Sequence, residues 1–225
     1  MPSGLFLPRQ NCYGVCFPAL ASQEPDPIAS SPAIIETRLE GGTPVCLRRV
    51  DRGDEQRIRE GIARMSPRSR YMRFFSGAAT PPDWVIDRLL DADGDMHLAW
   101  GAIDMSVPGE PAIGAVHAFR EEEDRELAEF SVAILDDWHG QGLGKILTAT
   151  LLLEAQAEGI ARFAMNTLAE NRSAIAFARL LGGQRTGSDG TVVAYELLVD
   201  EALDRLRQAG DPPGILAVFD AFEKM

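Results

Sequence analysis

The turn His139-Gly140-Gln141-Gly142-Leu143-Gly144-Lys145 is the stretch of this sequence best suited to chemistry, because it has glycine at every second position. Ahead of it, Phe130, Val132 and Ile134 alternate with smaller residues in the pattern of a strand, and Asp136 and Asp137 end the run. Behind it, Leu143, Ile146, Leu147 and Leu151 recur at helical spacing. A strand that passes through glycines into a helix leaves backbone N–H groups without partners at the helix start. Those donors, with the positive end of the helix dipole, suit a phosphate. Glycine also lets a bulky group approach the backbone closely. The turn is therefore expected to bind a pyrophosphate; the plainer alternative is a tight strand-to-helix connection.

Spacing excludes two common phosphate loops. The dinucleotide fingerprint G-x-G-x-x-G needs glycine at 145, where Lys145 stands. The Walker pattern G-x-x-x-x-G-K-S/T is met at Gly144-Lys145, but His139 replaces its first glycine and Ile146 its Ser/Thr. The turn instead resembles the acetyl-CoA loop of the GNAT superfamily of N-acetyltransferases, Gln/Arg-x-x-Gly-x-Gly/Ala, with His139 in place of the usual Gln or Arg. A second unit follows in the right order. Residues 161–168 read as a strand, Ala169-Glu170-Asn171-Arg172-Ser173 as a connection, and Ala174, Phe177, Ala178 and Leu181 as a helix stopped by Gly182-Gly183. This resembles the GNAT strand–Asn–helix–Gly unit. A third stretch, Ser66-Pro67-Arg68-Ser69-Arg70-Tyr71-Met72-Arg73-Phe74-Phe75, is similar to a segment of the acetyltransferase domain in bacterial Pat-type protein lysine acetyltransferases.

The resemblance covers roughly residues 43–199. It implies an α/β (α+β) fold: a mixed, mostly antiparallel sheet flanked by helices, with two central strands splayed apart around coenzyme A. It also implies acetyl-CoA as co-substrate. The turn residues His139, Gly140, Gln141, Gly142, Leu143, Gly144 and Lys145 would hold the diphosphate. The backbone of Val132, Ala133 and Ile134 would pair with the pantetheine arm and stabilise the oxyanion of the tetrahedral intermediate. Asn171 would touch the cofactor, although an Asn at a helix N-cap explains that residue equally well.

Amine acetylation needs a neutral amine, and a lysine ammonium has a pKa near 10.4, so a group must take its proton. Glu129 lies ten residues before His139, where many GNAT enzymes place a cleft-facing glutamate, and is the expected general base. The alternative is an ordinary solvent-facing strand residue. Glu126 is the fallback base, on the opposite pleat of a regular strand. Ala178 stands where many GNAT enzymes carry a tyrosine acid, so the CoA thiolate must leave without that proton donor. The implied acceptor is a primary amine, and the Pat likeness points to protein lysine. A small amine such as a polyamine or amino acid is a close variant. A CoA-binding regulatory module without turnover is the alternative from another class.

These residues need a scaffold, and the rest of the chain supplies one. Residues 45–50 read as a first strand, and Ile58, Ile62 and Met65 as one face of a helix. In the helix over 66–75 the aromatics are expected in the core and the arginines in water. Pro81-Pro82 opens a further helix whose apolar side is Trp84, Val85 and Leu89. Residues 96–103, 112–119 and 126–135 form a three-strand meander, and 192–199 the last strand. His97 and His117 read as packing residues of the meander. Residues 1–41 are expected to be an irregular arm whose Phe6, Tyr13 and Phe17 could pack on the body or on a second subunit. The domain proper spans 42–200, and 201–225 is a C-terminal helical extension.

Composition narrows the partners. The chain has 225 residues and a formal charge of −12, a surface that repels nucleic acid and anionic membranes. No uninterrupted apolar run approaches the roughly 20 residues that span a bilayer. Three cysteines, two of them in the arm, do not suggest a disulfide framework. No metal-binding constellation is present in the sequence. The expected location is the cytoplasm, where coenzyme A is found.

Overall fold

A computed structural model describes residues 32–224; Cys12, Cys16 and the aromatic residues of the arm lie outside them. The elements in chain order are β1 (Ile34–Arg38), β2 (Pro44–Arg49), α1 (Glu55–Arg64), α2 (Pro67–Phe74), α3 (Asp83–Leu90), β3 (His97–Asp104), β4 (Ala112–Arg120) and β5 (Leu127–Ile134). There follow α4 (Leu143–Ala157), β6 (Arg162–Leu168), α5 (Arg172–Leu180), β7 (Gln184–Asp189), β8 (Val192–Leu198), α6 (Val199–Ala209) and α7 (Ile215–Glu223). Eight strands form one sheet in the order β1-β2-β3-β4-β5-β6-β8-β7. Every neighbouring pair is antiparallel except β5 and β6, which run parallel. A parallel pair needs a crossover, and α4 provides it. The mixed, mostly antiparallel sheet expected from the sequence is the one observed.

Helix α4 is apolar nearly all round because it is covered on two sides. Leu143, Ile146, Leu147, Leu151 and Leu152 are each at most 1% exposed. One side meets Leu98, Trp100, Val116, Ala118 and Phe130 of the sheet. Leu203 and Leu206 of α6 and Val218 and Phe219 of α7 also belong to this core. The opposite sheet face carries a second, smaller cluster, in which Val50 and Ala99 pack with Ile62 of α1 and with Ile86, Leu89 and Leu90 of α3.

Several expectations need correction. The arm does not extend to residue 41, since Ile34–Arg38 pair in register with β2. Ile35 and Leu39 are buried, so an alternating apolar pattern was there, but very short. Deleting residues 1–41 would remove an edge strand. The C-terminal helices dock on the body and join its core through Leu203, Leu206, Ile215, Val218 and Phe219. Strand β7 was not expected. All its residues are exposed, so it has no apolar alternation to show, and its ladder to β8 alone defines it. Of the expected apolar side of α3, Leu89 is buried and Val85 packs against the same cluster, while Trp84 is 47% exposed; Ile86 and Leu90 complete the buried face.

Helix α2 departs from the expected pattern for a physical reason, although Phe74 packs on the smaller cluster and Arg68 is exposed as expected. Tyr71 and Phe75 are exposed, while Arg70 is buried. The last carbonyls of α1 lack intrahelical partners. Arg70 donates to the carbonyls of Ala63 (3.2 Å) and Met65, and its Nε to Gly77 O (3.1 Å).

His97 and His117 are packed side by side, with Nε2 of the first 3.0 Å from Nδ1 of the second. Both are 4% exposed. Burial, the largest cause, lowers the pKa of both rings, and His117 lies well below 6.5 with further lowering from His97 and Arg73. The unfolded chain therefore binds more protons than the folded one below pH about 6.5, and folding stability falls as pH drops through that window. Against burial, hydrogen bonds hold Asp54, Asp93 and Asp136 below their ordinary range, so they titrate at more acidic pH, while burial raises Glu154 and its protonation opposes the histidine effect. Urea midpoints are thus expected to decline from pH 7 to pH 5. His117→Gln should flatten that decline, and a parent midpoint that is level across the window would contradict the assignment.

Candidate active site

Strand β5 pairs with β4 from Ala128 to Ile134. Its pairing with β6 is confined to Leu127↔Arg162, Ala128↔Phe163 and Glu129↔Ala164. Beyond Glu129 the two strands part, and a cleft of about 1890 Å³ opens between them. This exceeds the roughly 300–1,000 Å³ of an ordinary small-molecule pocket. Ser131, Val132, Ala133 and Ile134 line one wall, and Met165, Thr167 and Leu168 line the other. The backbone edge of β5 facing this gap has no strand beside it, which leaves it free to pair with an extended ligand.

Glu129 sits at the apex of the fork, partly buried, and lines the cleft. Glu126 lies in the exposed turn ahead of β5 and does not. At the far end the chain turns through Gly140 (φ +74°) and Gly142 (φ +83°) into α4. Gly142 is the N-cap of α4 and has no side chain with which to cap it. The first amides of α4 therefore precede its ladder and are available to an anion.

The glycines of the turn differ in what requires them. A β-carbon on Gly142 would stand 2.3 Å from Pro212 Cγ, so the fold itself forbids one. Gly144 has ordinary helical geometry, and a β-carbon there would meet no atom within 4 Å. Glycine is costly inside a helix, by about 0.5–1 kcal/mol relative to alanine. Nothing in the protein needs it at 144, and the open space in front of it belongs to the cleft. A diphosphate drawn to the amides of α4 fits that space.

The other expected residues divide into two groups. Val132, Ala133, Ile134, His139, Gly140, Gly142, Leu143, Gly144 and Asn171 all line the cleft. The ring of His139 folds back with Nε2 2.9 Å from Ile134 O. Asn171 Oδ1 accepts from Ala174 N at 3.1 Å, so it caps α5 while facing the cleft. Gln141 and Lys145 are turned toward protein. Gln141 Nε2 donates to Asp137 O at 3.0 Å, and Lys145 Nζ pairs with Asp211 Oδ2 at 2.6 Å. Ala178 is wholly buried, with Phe177 on the cleft side.

Helix α2 closes another side of the cleft. Asp136, just before the turn, accepts from Ser66 N (2.9 Å), Ser66 Oγ (2.9 Å) and Ser69 Oγ (2.6 Å). Burial alone would raise the Asp136 pKa, but the hydrogen bonds from Ser69 and Ser66 outweigh it and lower it to about 2. One carboxylate thus ties the start of α2 to the cofactor turn.

Arg73 is the residue that sequence reasoning missed. It lines the cleft, its Nη2 donates to Ser131 Oγ at 2.7 Å, and its Nε is shut off from water without a partner. Burial lowers its pKa, and the charge of Glu129 opposes that. The signal was spacing: Ser66, Ser69, Arg70 and Arg73 fall on one helical face, which makes that face polar and inward.

Comparison with known proteins agrees with this fold. The chain is 29% identical over 161 residues to an acetyltransferase of Pseudomonas aeruginosa, covering 71% of this chain and 86% of that protein. It is 27% identical over 184 residues to the acetyltransferase Pat of Mycolicibacterium smegmatis, covering 78% of this chain and 54% of Pat. The crystal structure of the GNAT domain of S. lividans PAT superposes with a TM-score of 0.67 at 22% identity, over 73% of this chain and 96% of that one. The sequence profile of the acetyltransferase (GNAT) family matches residues 67–182, from the start of α2 to the glycine after α5. The chain belongs to the acetyltransferase (GNAT) family.

Proposed function

We propose that the protein transfers the acetyl group of acetyl-CoA to the side-chain amine of a protein lysine, with Glu129 as general base. The observation that carries this reading is the position of Glu129 at the fork of β5 and β6, facing the same cleft as the uncapped start of α4. In this reading the diphosphate rests on the turn from His139 to Gly144, and the pantetheine arm runs along the free edge of β5. Amides in the 132–134 stretch stabilise the oxygen that becomes negative as the amine attacks. Glu129 takes the amine proton, the carbon–sulfur bond breaks, and CoA leaves as the thiolate, because buried Ala178 has no proton to give. Arg73 biases the acceptor toward its neutral form.

The choice of lysine rests on the likeness of residues 66–75 to Pat-type enzymes and on the width of the cleft. No helix among the described residues is long and apolar enough to cross a membrane. We place the reaction in the cytoplasm, where the co-substrate is found. The test is incubation with acetyl-CoA and either a protein mixture or small amines (spermidine, free amino acids), following free thiol and acetylated products by mass spectrometry. Thiol release with acetyl-lysine in the proteins is the expected result. Release with the small amines alone would transfer the assignment to them.

A further inference from the structure

The segment between α6 and α7 is built into the cofactor turn. The buried ring of Pro212 lies against Gly142, close enough that a β-carbon there would stand 2.3 Å from Cγ and 2.6 Å from Cβ. Next to it, Asp211 holds Lys145 in the first turn of α4. The same segment is anchored on the sheet edge. Thr37 Oγ1 donates to Gly214 O at 2.6 Å, and a β-carbon on Gly214 would stand 2.0 Å from Arg38 O. Glu40 N reaches Gln141 O at 3.3 Å. Helix α7 then begins, with Ile215 N bonded to Pro212 O and its residues Ile215, Val218 and Phe219 in the core.

Gln141 Nε2 on Asp137 O and His139 Nε2 near Ile134 O fix the first half of the turn, but no such contact reaches Gly142 and the start of α4. Two of its glycines have positive φ, and α4 has no side-chain N-cap. At that second half, what stands against the chain is Pro212 at Gly142 together with the Lys145–Asp211 pair. We infer that residues 211–214 are the rear support of the cofactor turn, with Pro212 as a positioning residue, so that docking of α7 and binding of acetyl-CoA stabilise one another. This rests on acetyl-CoA binding at the turn. The coupling must be reciprocal: if the support orders the turn for its ligand, the ligand must tighten the support.

Hydrogen exchange on the full chain, with and without saturating CoA, tests it. Slower exchange is expected at residues 140–146 and also across α7, which starts directly after the support. Slowing confined to 140–146 would overturn the coupling and leave the acetyl-CoA site standing. Slowing in neither place would overturn both. A second measurement uses Pro212→Ala, which keeps the β-carbon but removes the ring atom nearest Gly142. Its Kd and KM for acetyl-CoA should rise about fivefold or more, the lower end of typical coupling, while kcat stays within about twofold. A proline needed only for folding would lower the active fraction and leave Kd and KM unchanged, and that result would also overturn the inference.

Discussion

Glu129→Gln is expected to lower kcat by roughly 10²–10⁴-fold, the usual worth of general-base assistance, while acetyl-CoA binds as before. The substitution preserves size and hydrogen bonding and removes only the ability to accept a proton. The turn that would hold the cofactor lies at the other end of β5 and is untouched. The residual rate should climb with pH, because a larger fraction of the amine is then neutral without help. Glu126→Gln should behave like the parent, since that side chain is in an exposed turn outside the cleft. Steady-state kinetics on both variants, with acetyl-CoA binding measured separately, decides the matter. Near-parental turnover in Glu129→Gln would remove Glu129 from the mechanism.

Gly144→Asp is expected to abolish acetyl-CoA binding in a protein at least as stable as its parent. The two halves of that statement have separate causes. Gly144 has helical geometry with empty space in front of it, so a side chain meets no atom of the protein. An acidic group in the first turn of a helix is favourable by about 0.3–1 kcal/mol, and the loss of a helical glycine adds to this. The same carboxylate projects where a diphosphate must come, and like charge and bulk exclude it. Gly144→Ala is the control. The loop pattern admits alanine at this position, so the variant should bind normally and gain up to about 1 kcal/mol. Gly142 cannot serve for this test, because any side chain there collides with Pro212 and the result would report the fold. Thermal unfolding paired with calorimetric titration separates the effects. Parental affinity in Gly144→Asp would place the diphosphate elsewhere.

The turn and α4 were legible because glycine spacing and helical periodicity are local properties, written in adjacent residues. The cleft was legible only through resemblance, since nothing in β5 itself marks Glu129 as the last residue paired with β6. Arg70 and Arg73 were misplaced because their burial depends on carbonyls of α1 and on Ser131, partners that composition does not reveal. The partner of Lys145, Asp211, is likewise distant in sequence and unmarked by the loop pattern. Strand β1 was hidden by its shortness and β7 by its polarity. For Arg73 and Lys145 the missing information was a contact between segments remote along the chain.

Strand β7 has a consequence for how copies of this protein meet. It forms one rim of the sheet, and an exposed rim offers unpaired backbone groups to any neighbouring chain. Here every residue from Gln184 to Asp189 is exposed, and the register with β8 slips between Arg185 and Gly187. A second molecule aligning on that rim would bury no apolar surface, would strip water from Arg185 and Asp189, and would have to follow an interrupted ladder. The rim therefore discourages sheet-to-sheet growth at high protein concentration. It also leaves Ser188 and Asp189, which line the cleft, unobstructed.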